Sequence, residues 1–161
     1  MSRAWPYFLA SCAVVLADQI TKWLVLARLR PWERLEITPF FNVVLAFNKG
    51  AAFSFLAGAG GWQTPLLIAF ALAAAVVVSL LLLRSPGRGL FCAGLALILG
   101  GAVGNVIDRL RFGHVVDFLD LHAGGWHWPA FNVADSAITV GAALLILDGF
   151  RHHERRAGAS S

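Results

Sequence analysis

Four long apolar runs, separated by stretches of mixed polarity, organise the chain. They extend from Trp5 to Leu26, Thr64 to Leu83, Leu90 to Ile107 and Val133 to Phe150. Each comes near the ~20 residues that an α-helix needs to cross ~30 Å of hydrocarbon. The second carries no charge, and the polar turn Arg84-Ser85-Pro86-Gly87-Arg88-Gly89 separates it from the third. The pattern predicts a single membrane-embedded domain with four transmembrane helices and both chain ends on one side.

Two segments between the runs are too short or too mixed to span. The first, Ala27 to Gln63, contains FFNVVLAFNKGAAFSFLAG from Phe40 onward. Its β-branched and aromatic content, with turn chemistry at Asn48-Lys49-Gly50, predicts strands lying at the membrane surface. The second, Asp108 to Ala130, contains the strand-like Val115–His122. Period-two alternation places Val115, Asp117, Leu119 and Leu121 on one face and Val116, Phe118, Asp120 and His122 on the other. Asp117 therefore keeps apolar company, whereas Asp120 is expected to face water. Trp126 and Trp128 fit an interfacial aromatic belt. The tail from Arg151 to Ser161 reads as disordered.

Composition sharpens this picture. The 161 residues are 58% hydrophobic and 14% charged, against about 45–50% and about 25% in soluble domains. Mean hydropathy is +0.71. The formal charge is +4, but the basic residues flank the apolar runs, with Arg151, Arg155 and Arg156 the densest group. That distribution suits membrane lipids rather than nucleic acid. Basic residues divide evenly between the two sides, so charge alone leaves the orientation open. Cys12 and Cys92 lie in apolar runs outside any metal-binding spacing, and both are expected as buried, reduced thiols. Leu9-Ala10-Ser11-Cys12 looks like a lipoprotein processing box. The apolar run continues past it, however, so a retained first helix is expected.

The polar residues inside these runs carry the chemistry. Asn105 and Asp108 close the third run, and Asn132 and Asp135 open the fourth with the same spacing. Both pairs therefore belong to one membrane surface. Capping explains Asn132 and Asp135 taken alone, and an ion pair with Arg109 explains Asp108. Asp18 and Lys22, four apart, suit an intramembrane ion pair. Gly100, Gly101 and Gly104 allow a neighbouring helix to approach closely. A carboxylate near hydrocarbon is costly and needs a partner or a task. Asp117 and Asp135 can supply both to each other. Two carboxylates in a partly dry site separate into an acid and a base, which together can activate water against a peptide bond. Such chemistry requires no metal or cofactor. A proton-coupled transporter would place its carboxylates nearer the midplane. A zinc site would recruit His114, His122 or His127 with Asp117, without a His-Glu-x-x-His motif. Ser54 and Ser136 form no clear serine-protease arrangement.

Five boxes in order resemble the lipoprotein signal peptidase (signal peptidase II) family over nearly the whole chain. They are Asp18-Gln19-x-x-Lys22, Asn48-x-Gly50-x-x-Phe53, Gly100-Gly101-Ala102-x-Gly104-Asn105-x-x-Asp108-Arg109, Val115-Val116-Asp117-Phe118 and Phe131-Asn132-x-Ala134-Asp135-Ser136. Lys49 departs from the small residue common after the Asn. The resemblance implies an all-α polytopic membrane protein: four transmembrane helices, a small extracytoplasmic β-cradle and an interfacial segment with a helix. It implies an aspartic endopeptidase of the bacterial inner membrane, with cytoplasmic termini and its active site at the outer face. It further implies diacylglyceryl prolipoprotein substrates, cut just before the lipidated Cys, and inhibition by globomycin. Carried over, Asp117 and Asp135 are catalytic. Asp18, Lys22, Asn48, Gly50, Asn105, Asp108, Arg109, Asn132 and Ala134 line or support the site.

Overall fold

A computed structural model of the chain describes residues 4–50, 61–85 and 87–158, with side chains described as far as Arg151. Helix α1 is Trp5–Arg28, followed by strands β1 (Arg34–Thr38) and β2 (Phe41–Asn48). Helices α2 (Gln63–Arg84) and α3 (Gly89–Phe112) come next. Strands β3 (Val115–Ala123) and β4 (Trp126–His127) lead to α4 (Val133–Gly158). All four helices are long and apolar enough to cross a membrane. Their directions place the strands between the helix ends opposite Trp5.

The spans follow from apolar length, and their ends follow from local chemistry. Pro6 lies in the first turn of α1, where its missing N–H costs nothing. Helix α3 runs past the expected Ile107 to Phe112. It stops at Gly113, whose φ of 75° suits glycine and whose N–H reaches Arg109 O at 3.0 Å. The expected disordered tail is corrected in part: α4 continues through Gly158.

Helix α3 is central and packs against each of the other three. Glycines bring α1 and α4 close to α3, Gly101 and Gly104 nearest the polar cluster. A Cβ on Gly101 would collide with Ala134 O and stand 2.7 Å from Ile138 Cγ1; one on Gly104 would stand 2.6 Å from Asp18 Oδ2. Helix α2 packs on α3 and turns Leu66, Phe70, Val76 and Val77 outward, as a lipid-facing helix should. Cys92 is buried as expected, but Cys12 is exposed on the outer face of α1; both thiols are free. Where α3 begins and α4 approaches its end, Arg88 pairs with Asp148.

The strands form one antiparallel sheet in the order β1-β2-β3-β4. Asn42 stands opposite Asp120, and Ala46 opposite Asp117, with a register shift between Val43 and Ala46. The chain returning to α4 bridges back to the sheet through Phe131 and Leu119. Strand β3 is thereby held between β2 and the segment that opens α4. Residues 51–60, the part of the expected Ala27–Gln63 segment that holds Phe53 and Ser54, lie outside the described residues.

Candidate active site

The mouths of α1, α3 and α4 meet the sheet around a cluster of polar side chains. Asp18, Lys22, Asn105, Asp108, Asp117 and Asn132 are all buried, and Ala134 is fully so. The positions drawn from all five sequence boxes are therefore neighbours in space, as far as the described residues extend.

Helix α1 supplies the ionic part. Lys22 Nζ lies 2.8 Å from Asp18 Oδ2 and 2.8 Å from Asp108 Oδ2. Its third acceptor is Asn105 Oδ1, at 3.1 Å. An ammonium has three N–H groups and accepts nothing, so these oxygens account for all of its donors. The expected Asp18–Lys22 pair is present, but it is part of a larger group. Asp108 belongs to Lys22 rather than to Arg109, which corrects the neighbour pairing suggested by sequence. Asp108 also accepts from Gln19 Nε2 (2.9 Å) and from the Val116 N–H (3.0 Å), tying α1 and α3 to the start of β3.

Asp18 has a second task. Its Oδ1 accepts the Ala134 N–H at 3.0 Å. Asn132 Oδ1 accepts the Asp135 N–H at 2.9 Å. Two orphan donors in the first turn of α4 are thus satisfied, one by an anion at the positive end of the helix. Asn132 is the N-cap that its position suggested. A small residue is needed at Ala134, because its backbone and Cβ press against Gly101 and Gly104.

Three asparagines repeat one device. In each, a donor occupies the amide oxygen and thereby directs the NH₂ group at a carboxylate. The Gly50 N–H holds Asn48 Oδ1 (2.9 Å), and Asn48 Nδ2 donates to Asp117 Oδ2 at 3.1 Å. The Asp135 N–H holds Asn132, which donates to Asp117 Oδ1 at 2.7 Å. Lys22 holds Asn105, which donates to Asp135 Oδ1 at 2.8 Å. Asn132 Nδ2 also lies 3.3 Å from Asn105 Oδ1, joining the two halves. Arg109 Nη2 donates to Gly50 O at 2.8 Å and so anchors the turn that presents Asn48.

Asp117 and Asp135 are consequently bridged by Asn132 and Asn105. Burial pushes the Asp117 carboxyl up to about 7, and the Asp135 charge adds to this; the Asn48 and Asn132 hydrogen bonds and the Lys22 charge act in the opposite direction. A carboxyl in that range gives or takes a proton near neutrality.

The opposite face of β3 departs from expectation. Asp120 is buried rather than water-facing. Each strand contributes to its surroundings: Arg34 from β1 (3.6 Å), Asn42 from β2 (2.8 Å) and His127 from β4 (2.8 and 3.0 Å). Alternation identified the face correctly but could not reveal these cross-strand partners. Asn42 and Gln19 were assigned no role from sequence; only strand pairing and helix contact expose theirs. His122 stacks on His127 at 4.9 Å; His114 lies tilted against Phe47 at 4.5 Å and stacks on Phe112 at 5.9 Å. Among the described residues, no three His, Cys, Asp or Glu side chains are arranged to hold a metal ion.

Comparison with known proteins gives a consistent result. Residues 10–151 match the family model described as signal peptidase (SPase) II. The chain is 56% identical over 146 residues to the lipoprotein signal peptidase of Paraburkholderia phymatum, covering 91% of this chain and 88% of that one. It is 58% identical over 141 residues to the lipoprotein signal peptidase of Ralstonia nicotianae, covering 88% and 82%. Two bacterial membrane enzymes solved by the in meso method share its fold. One has a TM-score of 0.84 at 27% identity, covering 93% of this chain and 90% of that one. The other has a TM-score of 0.76 at 29% identity, covering 88% and 90%.

Proposed function

From the premise that the chain belongs to the signal peptidase II family, we propose that it is an aspartic endopeptidase removing signal peptides from diacylglyceryl-modified bacterial prolipoproteins. The observation that carries the aspartic reading is the pair of carboxylates, buried Asp117 and half-buried Asp135, bridged by two oriented amides at the helix mouths. In this reading the pair shares one proton and holds a water. The ionised member takes a proton from that water as it attacks the scissile carbonyl. The protonated member supports the developing oxyanion. A proton then passes to the leaving nitrogen as the C–N bond breaks, regenerating the shared state.

The placement suits such a substrate. A signal helix crosses the bilayer alongside the spans, and the scissile bond, immediately before the lipidated Cys, lies near the surface carrying the sheet. The diacylglyceryl chains remain in lipid. In the proposed setting, a bacterial inner membrane, the termini are cytoplasmic and the sheet and site face outward. Asn48, Gly50 and Arg109, linked to one another beside Asp117, would contact the substrate, or globomycin in its place.

The deciding experiment incubates the purified protein with lipidated and unlipidated precursor peptides and maps the cut by mass spectrometry. We expect cleavage of the lipidated peptide just before its Cys, with strong preference over the unlipidated one. Equal cleavage of both, or a cut elsewhere, overturns the substrate assignment.

A further inference from the structure

Lys22 stands behind the candidate dyad, on a helix that contributes neither carboxylate to it. We infer that Lys22 is a positioning residue: it fixes the Asn105 amide so that Asp135 is always met by an N–H donor and never by a carbonyl oxygen. The inference rests on the two-aspartate reading and adds a named control for one member of the pair.

An asparagine amide can present either its oxygen or its nitrogen. Asn48 and Asn132 are held by backbone N–H groups, at Gly50 and Asp135. Those donors survive any side-chain substitution that leaves the fold intact. Asn105 is different, because a side chain 83 positions away holds its oxygen. The only other donor described near that oxygen is Asn132 Nδ2, at 3.3 Å. That NH₂ group is already directed to Asp117 Oδ1 at 2.7 Å and Val116 O at 3.2 Å. A weak, shared donor cannot enforce the orientation that an ammonium imposes. Without Lys22, the Asn105 amide can rotate and place Oδ1 against the Asp135 carboxylate.

The ionic surroundings explain how a buried lysine can serve this purpose. Asp18 on α1 and Asp108 on α3 each take one N–H of Lys22, at 2.8 Å, and so direct two of its donors to carboxylates outside the dyad. The third is thereby committed to Asn105. The other charged groups gathered here are Asp117 on β3, Asp135 on α4 and Arg109 on α3. Lys22 thus also opposes the upward push on the Asp117 carboxyl.

The test is a double-mutant cycle between Lys22→Met and Asn105→Ala in the full-length protein, read as kcat and KM on a lipidated precursor peptide. If Lys22 acts through Asn105, each single variant loses about tenfold or more in kcat with little change in KM. The double variant is then no slower than Asn105→Ala alone. The limb of the pH–rate profile belonging to Asp117 moves to higher pH in Lys22→Met, because a cation that favoured its charged form is gone. Multiplying losses, or a kcat defect with an unmoved pH profile, overturns the inference and leaves Lys22 a structural ion-pair partner. Should Lys22→Met fail to fold, Asp18→Asn/Lys22→Met removes one charge of each sign and supports the same cycle through kcat. Asp117→Asn is measured alongside. If it remains active, the dyad itself is wrong; if it is inactive while the cycle is additive, only the role of Lys22 falls.

Discussion

Two aspartates on β3, three residues apart, have been given opposite electrostatic lives. Asp117 lies with the helix mouths. Burial dominates there, the nearby carboxylate is Asp135, and the contacts to its own oxygens come from neutral amides. Asp120 lies on the other face. Burial alone would raise its carboxyl, but hydrogen bonds from Asn42 and His127 and the charges of His127 and Arg34 outweigh that and hold it below the ordinary range. Both groups are nearly inaccessible to water, at 2% and 4% exposure. Burial therefore does not distinguish them; the sign of the neighbours does. A carboxylate beside cations is set up to stay ionised and bind strands together. One beside another carboxylate is set up to exchange a proton.

The largest effect should come from neutralising the first face. Asp117→Asn and Asp135→Asn should each reduce cleavage of a lipidated precursor by about a thousandfold or more, with the double variant little worse than either, since groups acting as a unit are not additive. Asp120→Asn should leave kcat nearly unchanged in the folded protein. An active Asp117→Asn beside an inactive but folded Asp120→Asn would reverse the assignment of the two faces.

Next come the amides. Asn105→Ala and Asn132→Ala each remove a buried donor from a carboxylate, a loss of about 1–3 kcal/mol. Where that loss falls on the transition state, turnover drops roughly tenfold to a hundredfold. Asn42→Ala removes the equivalent donor from Asp120 and should lower the melting temperature while sparing kcat. Steady-state kinetics and thermal melts on the same preparations separate the two outcomes.

A subtler contrast is the pH dependence of stability. The folded-state pKa of Asp117 is raised from 3.8 to about 7. Its contribution to stability is thus fully present below 3.8 and is lost as pH rises through about 7. That of Asp120 is lowered from 3.8, so its contribution is present above that value and is lost as pH falls below it. Compared with wild type, Asp117→Asn should gain melting temperature at pH 8 relative to pH 5. Asp120→Asn should be destabilised at both, with the deficit shrinking only in strong acid. Parallel melting curves across pH for both variants would show that the two carboxylates do not differ in this way.

These contrasts also mark how far the sequence was legible. The four spans were readable because hydrocarbon imposes a length, and no local detail can override roughly 20 apolar residues in a row. The Asp18–Lys22 pair was readable because four residues make one helical turn. Its extension to Asp108 and Asn105 was not, since no local spacing links positions more than eighty apart. Alternation along β3 correctly separated Asp117 from Asp120. It failed to bury Asp120, because strand period defines a face without saying what covers it; here Asn42 and His127, on the two neighbouring strands, do so. The site boxes were readable mainly through family resemblance. Their geometry, three amides each held by a donor, depends on hydrogen bonds that only the assembled helices and sheet provide.

The smallest expected effect is a test for no change. A zinc reading would join Asp117 to His114, His122 or His127. The fold separates these groups: His127 Nδ1 donates to the Asp120 carboxylate on the far face of β3, His122 stacks on His127, and His114 packs against Phe47 and Phe112. A metal serving Asp117 would have to draw His127 through the sheet and break its contact with Asp120. EDTA or phenanthroline should therefore leave cleavage of a lipidated precursor essentially intact, and added Zn²⁺ should not increase it. The melting temperature measured in the same samples guards against a chelator acting on the detergent or the fold. Loss of activity on chelation, restored by Zn²⁺ and abolished by His127→Ala, would move the chemistry from the two-carboxylate face to the histidine face. Activity unchanged by chelator, but lost in Asp117→Asn, places it where the oriented amides converge.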